Sequence, residues 1–291
     1  MPSCLRLALI AGTVALFASV ATAQTAVHIS SYTWPAPSDK HGGFSGIEVA
    51  EDGMRFTAIG DKGGIVEGRF KRTDGKISGV ESDMHRLKDT NGKAVSKPYS
   101  DAEGLAMRSD GTLYISFERK HRVWAYQGSK MSASKLPRHR DFKHLKGNDG
   151  LEALAISPDG TLYALPEKSS NEVIPVYRFT GKNWTVPFGI PRIGSYKPVG
   201  ADFGPDGKFY LLERALNSVF GFKTRVRRFE IMGDNITEAE VLLETESGTH
   251  DNLEGLSVWR DGLGDIRLTM VADNNFNAFQ RTEFVEYRLQ E

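Results

Sequence analysis

Apolar and polar positions follow one shared pattern in five segments of the chain. Each segment has a short apolar run, an Asp-Gly turn and a second apolar run, which is typical of a β-hairpin. The segments are GFSGIEVAEDGMRFTAIGDK (43–62), DAEGLAMRSDGTLYISFERK (101–120), DGLEALAISPDGTLYALPEK (149–168), KPVGADFGPDGKFYLLER (197–214) and DNLEGLSVWRDGLGDIRLTMVADN (251–274). They recur about every 50 residues, a period that indicates a propeller or a solenoid.

Further strand-like runs follow the hairpin in most units. Examples are RVWAY (122–126), VIPVYRF (173–179), TRVRRFEI (224–231) and AEVLLE (239–244). Four strands in a unit of about 50 residues predict the blade of a β-propeller. We therefore expect an all-β protein with five four-stranded blades. Six blades are the alternative, in which the 78–100 region holds a degenerate unit.

The two ends of the pattern predict how the ring closes. The last unit supplies three clear strands, ending with TEFVEYRL (282–289), and AVHISSYTW (26–34) belongs to no unit of its own. If the N-terminal strand completes the last blade, no sheet edge is left open.

The first residues have the features of a secretory signal. Arg6 precedes the apolar run LALIAGTVALFASV, and the small residues ATA end at Ala23. A membrane anchor needs about 20 apolar residues, and this run is shorter. We expect residues 1–23 to be a signal peptide and 24–291 to be one domain, periplasmic or secreted, with no membrane span after cleavage.

Composition narrows the function classes. The chain has 291 residues, of which 40% are hydrophobic, as in a folded protein. Its one cysteine, Cys4, lies in the predicted signal, so disulfides and thiol chemistry are not expected after cleavage. Basic and acidic residues are equal at 37 each, and no basic tract indicates nucleic-acid binding. We expect a monomer.

Acidic residues recur together with the hairpins. Glu103 and Glu118 lie at equal distances from the turn at Asp110 and Gly111, which makes them cross-strand neighbours at one end of the hairpin. Because the first strand of a blade lines the central channel, the five hairpins predict a ring of carboxylates around one channel mouth. The expected members are Glu48, Asp61, Glu103, Glu118, Glu152, Glu167, Glu213, Glu254 and Asp273. At the fourth position Val199 replaces the acid, and Asp202 or Glu213 would have to serve there.

Such a ring needs compensation, because like charges directly opposite one another are destabilising. A basic residue or Asn follows the second acid, namely Lys62, Arg119, Lys168, Arg214 and Asn274. These bases, a bound divalent cation or raised carboxyl pKa values could each compensate. Oxygen ligands without cysteine favour Ca²⁺ over Zn²⁺. The ring could also be an ion-pair network that only ties the blades together.

These segments resemble the phytase-like family of exported bacterial proteins, described as having esterase-like activity of phytase. The matching stretches are GGFSGIEV (42–49), DAEGLA (101–106), SFERKHRV (116–123), GLEALAISPDGTLYAL (150–165), GPDGKFYLLER (204–214), DNLEGLSV (251–258) and ADNNFNAFQRTEFVEYRL (272–289). The resemblance implies a β-propeller that hydrolyses phosphate or carboxylic esters, with metal assistance as one option.

The leading hypothesis is therefore an exported hydrolase of small anionic esters or phosphoesters at the acidic mouth. The expected catalytic residues are Glu103, Glu152, Glu254 and His250. The expected substrate-binding residues are Arg119, Lys168, Arg214 and Asn274. The expected metal ligands, for Ca²⁺, are Glu48, Asp61, Glu118, Glu167, Glu213 and Asp273. A non-catalytic binding or scaffold propeller is one alternative, and a calcium-dependent lactonase with Asn252 and Asn274 at its site is another.

Overall fold

The computed structural model describes residues 26–35, 37–38, 40–127, 132–147, 149–168, 172–217 and 221–290. The predicted signal peptide lies outside these residues. Among the helices of this part of the chain, none is long and apolar enough to cross a membrane.

The described chain is built almost wholly from β-strands. The first ten are β1 (Ala26–Thr33), β2 (Phe44–Val49), β3 (Arg55–Gly60), β4 (Gly64–Thr73), β5 (Lys76–Arg86), β6 (Ala102–Met107), β7 (Leu113–Phe117), β8 (Arg122–Tyr126), β9 (Ala133–Lys135) and β10 (Leu151–Ile156). The next six are β11 (Leu162–Pro166), β12 (Val173–Phe179), β13 (Trp184–Pro191), β14 (Lys197–Phe203), β15 (Phe209–Asn217) and β16 (Gly221–Phe229). The last six are β17 (Ile231–Met232), β18 (Asn235–Ile236), β19 (Glu240–Glu244), β20 (Leu253–Arg260), β21 (Ile266–Ala272) and β22 (Glu283–Leu289). A single 3-10 turn spans Arg140–Lys143 in the described residues.

The strands form five antiparallel four-stranded sheets, which confirms the five-blade prediction. Blade one is β2-β3-β4-β5, blade two β6-β7-β8-β9 and blade three β10-β11-β12-β13. Blade four is β14-β15-β16-β19, with β17 and β18 forming a small hairpin beside it, and blade five is β20-β21-β22-β1. The innermost strands β2, β6, β10, β14 and β20 contact one another in that order, and β20 contacts β2, so the ring is closed.

The N-terminal strand completes the last blade, as the sequence predicts. β1 pairs antiparallel with β22 from Ala26–Leu289 to Thr33–Glu283. Immediately after β1, the buried Trp34 packs on Phe44 of blade one and Phe284 of blade five. An ion pair also crosses this junction, because both Arg72 guanidinium Nη atoms donate to Glu286 at 2.7 Å. The seam between the first and last blades is therefore hydrophobic and ionic as well as hydrogen-bonded.

The Asp-Gly turns explain why the hairpins form locally. Gly111 has a φ of 82°, in the left-handed region that glycine adopts without steric penalty. Asp110 accepts the Thr112 backbone N–H at 2.9 Å, and Asp159 accepts that of Thr161 at 3.1 Å. An aspartate that bonds the backbone two residues on stabilises a tight turn.

The channel itself is nearly closed, because the innermost strands approach one another closely. A cavity of only about 10 Å³ remains among them. A Cβ atom on Gly200 would lie 2.5 Å from the Glu254 carbonyl, and one on Gly104 would lie 2.7 Å from the Glu152 carbonyl. Glycine at these positions lets neighbouring blades pack, and the space above them is a pit rather than a through pore.

Candidate functional site

An acidic cavity of about 340 Å³ lies at one end of the innermost strands, and we call it the mouth. All five blades contribute to it. Its lining residues are Asp61, Asp101, Glu103, Glu118, Glu152, Glu167, Lys168, Lys197, Arg214, Glu254, Asp273 and Asn275. Seven of the nine acids predicted for the ring line the mouth, and they include four of the six that were expected to be metal ligands.

Backbone irregularities present the acids of the first strands to the mouth. In every blade the register between the first two strands shifts near its start, and the shifts span Ser45, Glu103, Glu152, Val199 and Glu254. A β-bulge leaves a residue unpaired and re-aims its side chain. The bulge therefore explains how a side chain of a buried first strand can face the cavity.

One wall of the mouth groups three carboxylates from blade two. One oxygen from each of Asp101, Glu103 and Glu118 lies within 4.8 Å of the others. The Glu118 backbone N–H donates to the Asp101 carbonyl at 2.9 Å, which holds the two strand ends together. A spacing of this size suits oxygen atoms that share a cation at about 2.3–2.6 Å.

The basic side chains of the mouth group around Glu167 and Glu254. Arg214 donates to Glu254 and to the amide oxygen of Asn252, and its Nη2 lies 3.4 Å from Glu167. Lys197 lies 3.2 Å from the same Glu167. Lys168 lies 2.9 Å from Asp149 and 3.4 Å from Glu167. All three basic side chains that line the mouth therefore lie within 3.4 Å of Glu167.

The mouth has more negative than positive groups. Eight carboxylates and three basic side chains line it. Burial, and then the charge of Glu254, raises the pKa of Asp61 to about 7. Burial, and then the charges of Glu254 and Asp61, raises the pKa of Asp273 to about 9. These carboxyl groups hold protons near neutral pH unless a cation replaces them.

The blade-two and blade-three acids follow the same rule. Burial raises the pKa of Glu118 to about 7, with a further contribution from the charge of Asp101. Burial, and then the charge of Glu152, raises the pKa of Glu103 well above its usual range. Burial and the charge of Glu254 act in the same way on the pKa of Glu152. A positive partner would therefore stabilise the charged form of each of these acids.

A divalent cation fits this donor set. The grouped ligands are carboxylate oxygens, which hard cations such as Ca²⁺ prefer. The raised carboxyl pKa values mark uncompensated negative charge, which a bound cation would relieve.

Glu48 does not lie at the mouth, and its predicted position there is wrong. The residue of blade one that occupies the bulge is Ser45, three positions earlier, and its hydroxyl donates to Asp61 at 3.0 Å. The Glu48 carboxylate instead accepts the Met107 backbone N–H of blade two at 3.0 Å. Asp202 makes the equivalent bond from blade four to Val258 of blade five, at 2.6 Å. Glu48 and Asp202 therefore connect neighbouring blades deeper in the ring.

Glu213 also lies away from the mouth, contrary to the prediction. It is fully buried within blade four, where it accepts from Arg225 at 2.8 Å and from two nitrogens of Arg227 at 2.6 and 2.7 Å. Neither Glu213 nor Asp202 replaces the missing fourth acid at Val199. Lys197 and Arg214 occupy that side of the mouth instead.

Three other predicted site residues are not among those that line the mouth. His250 is buried beside Tyr287, with its Nε2 2.6 Å from the tyrosine oxygen, and it stacks near His28. The Asn274 side chain accepts the Gly43 and Phe276 backbone N–H groups. Arg119 lies 3.5 Å from Asp101 at a half-exposed position. His250 and Asn274 have structural partners in this arrangement, and Arg119 is the one of the three that contacts a mouth acid.

Sequence reasoning assigned no role to Asp101, Lys197 and Asn275, which all line the mouth. Asp101 comes two residues before the Glu103 bulge, and Lys197 two residues before the Val199 bulge. A polar residue two positions before the bulge residue could therefore have indicated both Asp101 and Lys197. Asn275 has a φ of 47°, which no pattern in the sequence indicates.

Comparison with known families identifies the chain. The family model for phytase-like proteins, described as esterase-like activity of phytase, matches residues 39–276. The chain belongs to this family. No curated protein matches the chain significantly.

Solved structures share the fold at low sequence identity. The catalytic domain of the Coprinopsis cinerea GH62 α-L-arabinofuranosidase is 10% identical, with a TM-score of 0.54 over 91% of this chain and 97% of that one. The α-L-arabinofuranosidase of Podospora anserina, in complex with cellotriose, is also 10% identical, with a TM-score of 0.50 over 92% of this chain and 96% of that one. The PQQ-bound aldose sugar dehydrogenase of Streptomyces coelicolor is 12% identical, with a TM-score of 0.47 over 90% and 98%. The similarity to the two arabinofuranosidases concerns the fold alone.

Proposed function

We propose that the protein is a metal-assisted hydrolase of small anionic esters, acting on phosphoester or carboxylic ester bonds at the mouth. The observation that carries the proposal is the excess of buried carboxylates in an open cavity, with Asp101, Glu103 and Glu118 grouped on one wall. Membership of the phytase-like family supports the reaction class.

The acidic residues of the mouth would bind a cation, and its basic residues would bind the substrate. Asp101, Glu103 and Glu118 would hold a divalent cation, Ca²⁺ being the best match to their oxygens. When bound, such an ion would act as a Lewis acid on the ester oxygen and lower the pKa of water. Arg214, Lys168 and Lys197 would bind the anionic oxygens of the substrate through charge-assisted hydrogen bonds.

Asp61 is the best-placed general base. Without a cation its pKa is about 7, and a cation bound nearby would lower that pKa, so the carboxylate could accept a proton from water near neutral pH. The Ser45 hydroxyl donates to its Oδ1 and fixes the carboxylate at the edge of the cavity. Asp273 has the higher pKa without a cation, about 9, so it would be the more protonated of the two and could donate a proton to the leaving group.

An activity screen tests the proposal. Phytate, p-nitrophenyl phosphate and p-nitrophenyl acetate are each incubated with the protein in Ca²⁺ and after chelation. We expect Ca²⁺-dependent turnover of at least one class, and a loss of about 100-fold or more in kcat for Glu103→Gln. Glu51→Gln, an exposed acid outside the mouth, is the matched control and keeps full activity.

The outcome that contradicts the proposal is no turnover of any substrate under either condition. A non-catalytic scaffold makes a different prediction for Glu103→Gln and Glu152→Gln, because a purely structural ring would lose melting temperature in these variants and have no activity to lose. Measuring melting and turnover on the same samples separates the two functions.

A further inference from the structure

A second cavity, of about 420 Å³, lies on the outer part of blade two and shares no lining residue with the mouth. We call it the blade-two pocket. Its lining includes Tyr99, Lys120, Arg122, Trp124, Lys135 and Arg138. It is larger than the mouth, and basic and aromatic side chains dominate it where acids dominate the mouth.

Arg122 is the buried centre of this pocket. Only 6% of the residue is exposed, and its guanidinium carbon lies 4.1 Å from the ring centroids of both Phe117 and Trp124. The guanidinium donates to the Tyr99 carbonyl at 2.7 Å and the Lys120 carbonyl at 3.1 Å. Backbone carbonyls and aromatic faces therefore fix its position without neutralising its charge.

None of the four cations of the pocket has a carboxylate partner among the described residues. Lys120, Arg122, Lys135 and Arg138 form no ion pair there, whereas Arg72, Arg214 and Arg227 elsewhere each face a glutamate. Asp89 is the one acid in the lining, and its carboxylate accepts the backbone N–H groups of Asn91 and Lys93. A buried charge is normally paired, so an unpaired guanidinium at a cavity wall indicates a ligand that supplies the negative charge.

The aromatic and apolar walls of the blade-two pocket indicate what the uncharged part of a ligand would be. Trp124 and Tyr99 line the pocket beside the apolar side chains Val95 and Leu136. Lys120 lies 4.1 Å above the Tyr99 ring. Apolar walls with a few convergent polar groups are typical of small-molecule sites.

We propose that the blade-two pocket binds an organic anion that carries a flat ring, with a phosphate monoester as the favoured head group. The ring packs on Trp124 and Tyr99, and the head group lies against Arg122 with Lys135 and Arg138 at the rim. A phosphate monoester provides the charge and the acceptor oxygens that several cationic donors need. This site is independent of the hydrolysis proposed for the mouth.

Two short segments of the chain contribute residues to both the blade-two pocket and the mouth. Tyr99, whose carbonyl binds Arg122, is two residues before Asp101 of the mouth. The Lys120 backbone N–H donates to the Glu118 carbonyl at 2.6 Å, so the blade-two loop also connects them.

Binding of phenylphosphonate, which resists ester hydrolysis, tests the proposal in the presence of chelator. Calorimetry gives the affinity, and the indole N–H resonance of Trp124, assigned with Trp124→Phe, reports the location. We expect saturable binding with a shift of that resonance. We also expect inorganic phosphate and benzyl alcohol to bind more weakly, because each lacks one half of the ligand.

Exposed rim cations supply variants that keep the fold. The pair Lys135→Ala/Arg138→Ala should weaken phenylphosphonate binding at least about tenfold, and Lys120→Ala/Lys135→Ala is a second test of the same charge. Arg140→Ala is the matched control, because its side chain is 86% exposed and outside the pocket, and it should leave affinity unchanged.

Three results would overturn the proposal. The first is the absence of saturable binding. The second is affinity that neither rim pair changes but that Lys168→Ala in the mouth abolishes. The third is equal affinity for inorganic phosphate, which would remove the role of the aromatic walls.

Discussion

Replacing Glu213 with Gln should destabilise the protein strongly, because this residue is the shared partner of two buried arginines. Its side chain is fully buried, as are those of Arg225 and Arg227 to within 3% exposure. The variant keeps the shape of the side chain but leaves two guanidinium charges without a carboxylate. Breaking a buried pair in this way costs about 3–5 kcal/mol. For a protein of this size, about 1 kcal/mol shifts the melting temperature by roughly 2–4 °C, so we expect a decrease of roughly 6–20 °C.

Thermal and urea unfolding, followed by circular dichroism, measure this loss. Glu81→Gln is the matched control, because Glu81 pairs with Lys71 at 2.6 Å on the exposed surface, and its melting temperature should not change. The reasoning is refuted if Glu213→Gln melts like the control. It is also refuted if Glu213→Gln keeps its stability but loses metal binding, since Glu213 would then act at the mouth as the sequence had predicted.

Three further predictions follow from the closure, the buried acids and the cationic wall. Deleting residues 24–34 removes β1 and Trp34 and exposes the edge of β22, so we expect aggregation and a lower melting temperature by light scattering and calorimetry; an unchanged cooperative transition would contradict the closure. Burial raises the pKa of Asp61 to about 7 and of Asp273 to about 9, so the folded state binds more protons than the unfolded state above about pH 4. The melting temperature of chelated protein should therefore fall as the pH rises from about 5 to about 9, and Ca²⁺ should raise it more at about pH 8 than at about pH 5; equal shifts at the two pH values would argue against a cation at the mouth. Arg214→Lys loses the fork that reaches Glu254, Glu167 and Asn252 together, and we expect about a tenfold or greater loss of kcat/KM that unchanged kinetics would disprove.

The fold was predictable because its signals are local. Four of the five hairpins carry an Asp-Gly turn with the glycine in the left-handed region, as at Gly111 and Gly207, and in the fifth it is Gly264 that has a positive φ. The sequence showed that the last unit lacks one strand and that the N-terminal strand belongs to no unit. That N-terminal strand, β1, completes the last blade by pairing with β22, as expected.

The site was only partly predictable, because its side chains depend on the bulges. An alignment on acidic residues equated Glu48 with Glu103 of blade two. The bulge and the close-packed Gly46 instead identify Ser45 as the equivalent residue of blade one. A one-residue change in strand register reverses which face a side chain occupies. Aligning Gly46 with Gly104, rather than aligning the acids, would have identified Ser45 as the equivalent of Glu103.

The ion pairing of Glu213 depends on the neighbouring strand β16. Arg225 lies directly opposite it in the pairing of β15 with β16, and Arg227 is two residues further along. The basic residues of TRVRRFEI were visible in the sequence, but their pairing with Glu213 is set by the register of the two strands. A hairpin taken alone could not show that this acid is neutralised within its own blade.

We propose that the carboxylates of the mouth hold a divalent cation for ester hydrolysis. A crystal structure of the protein grown with Ca²⁺ tests it most directly, through an anomalous difference map of the mouth. The account predicts a peak with oxygens of Asp101, Glu103 and Glu118 at about 2.3–2.6 Å. A mouth that binds no cation at saturating Ca²⁺, with its acids paired only to Arg214, Lys168, Lys197 and one another, would contradict it.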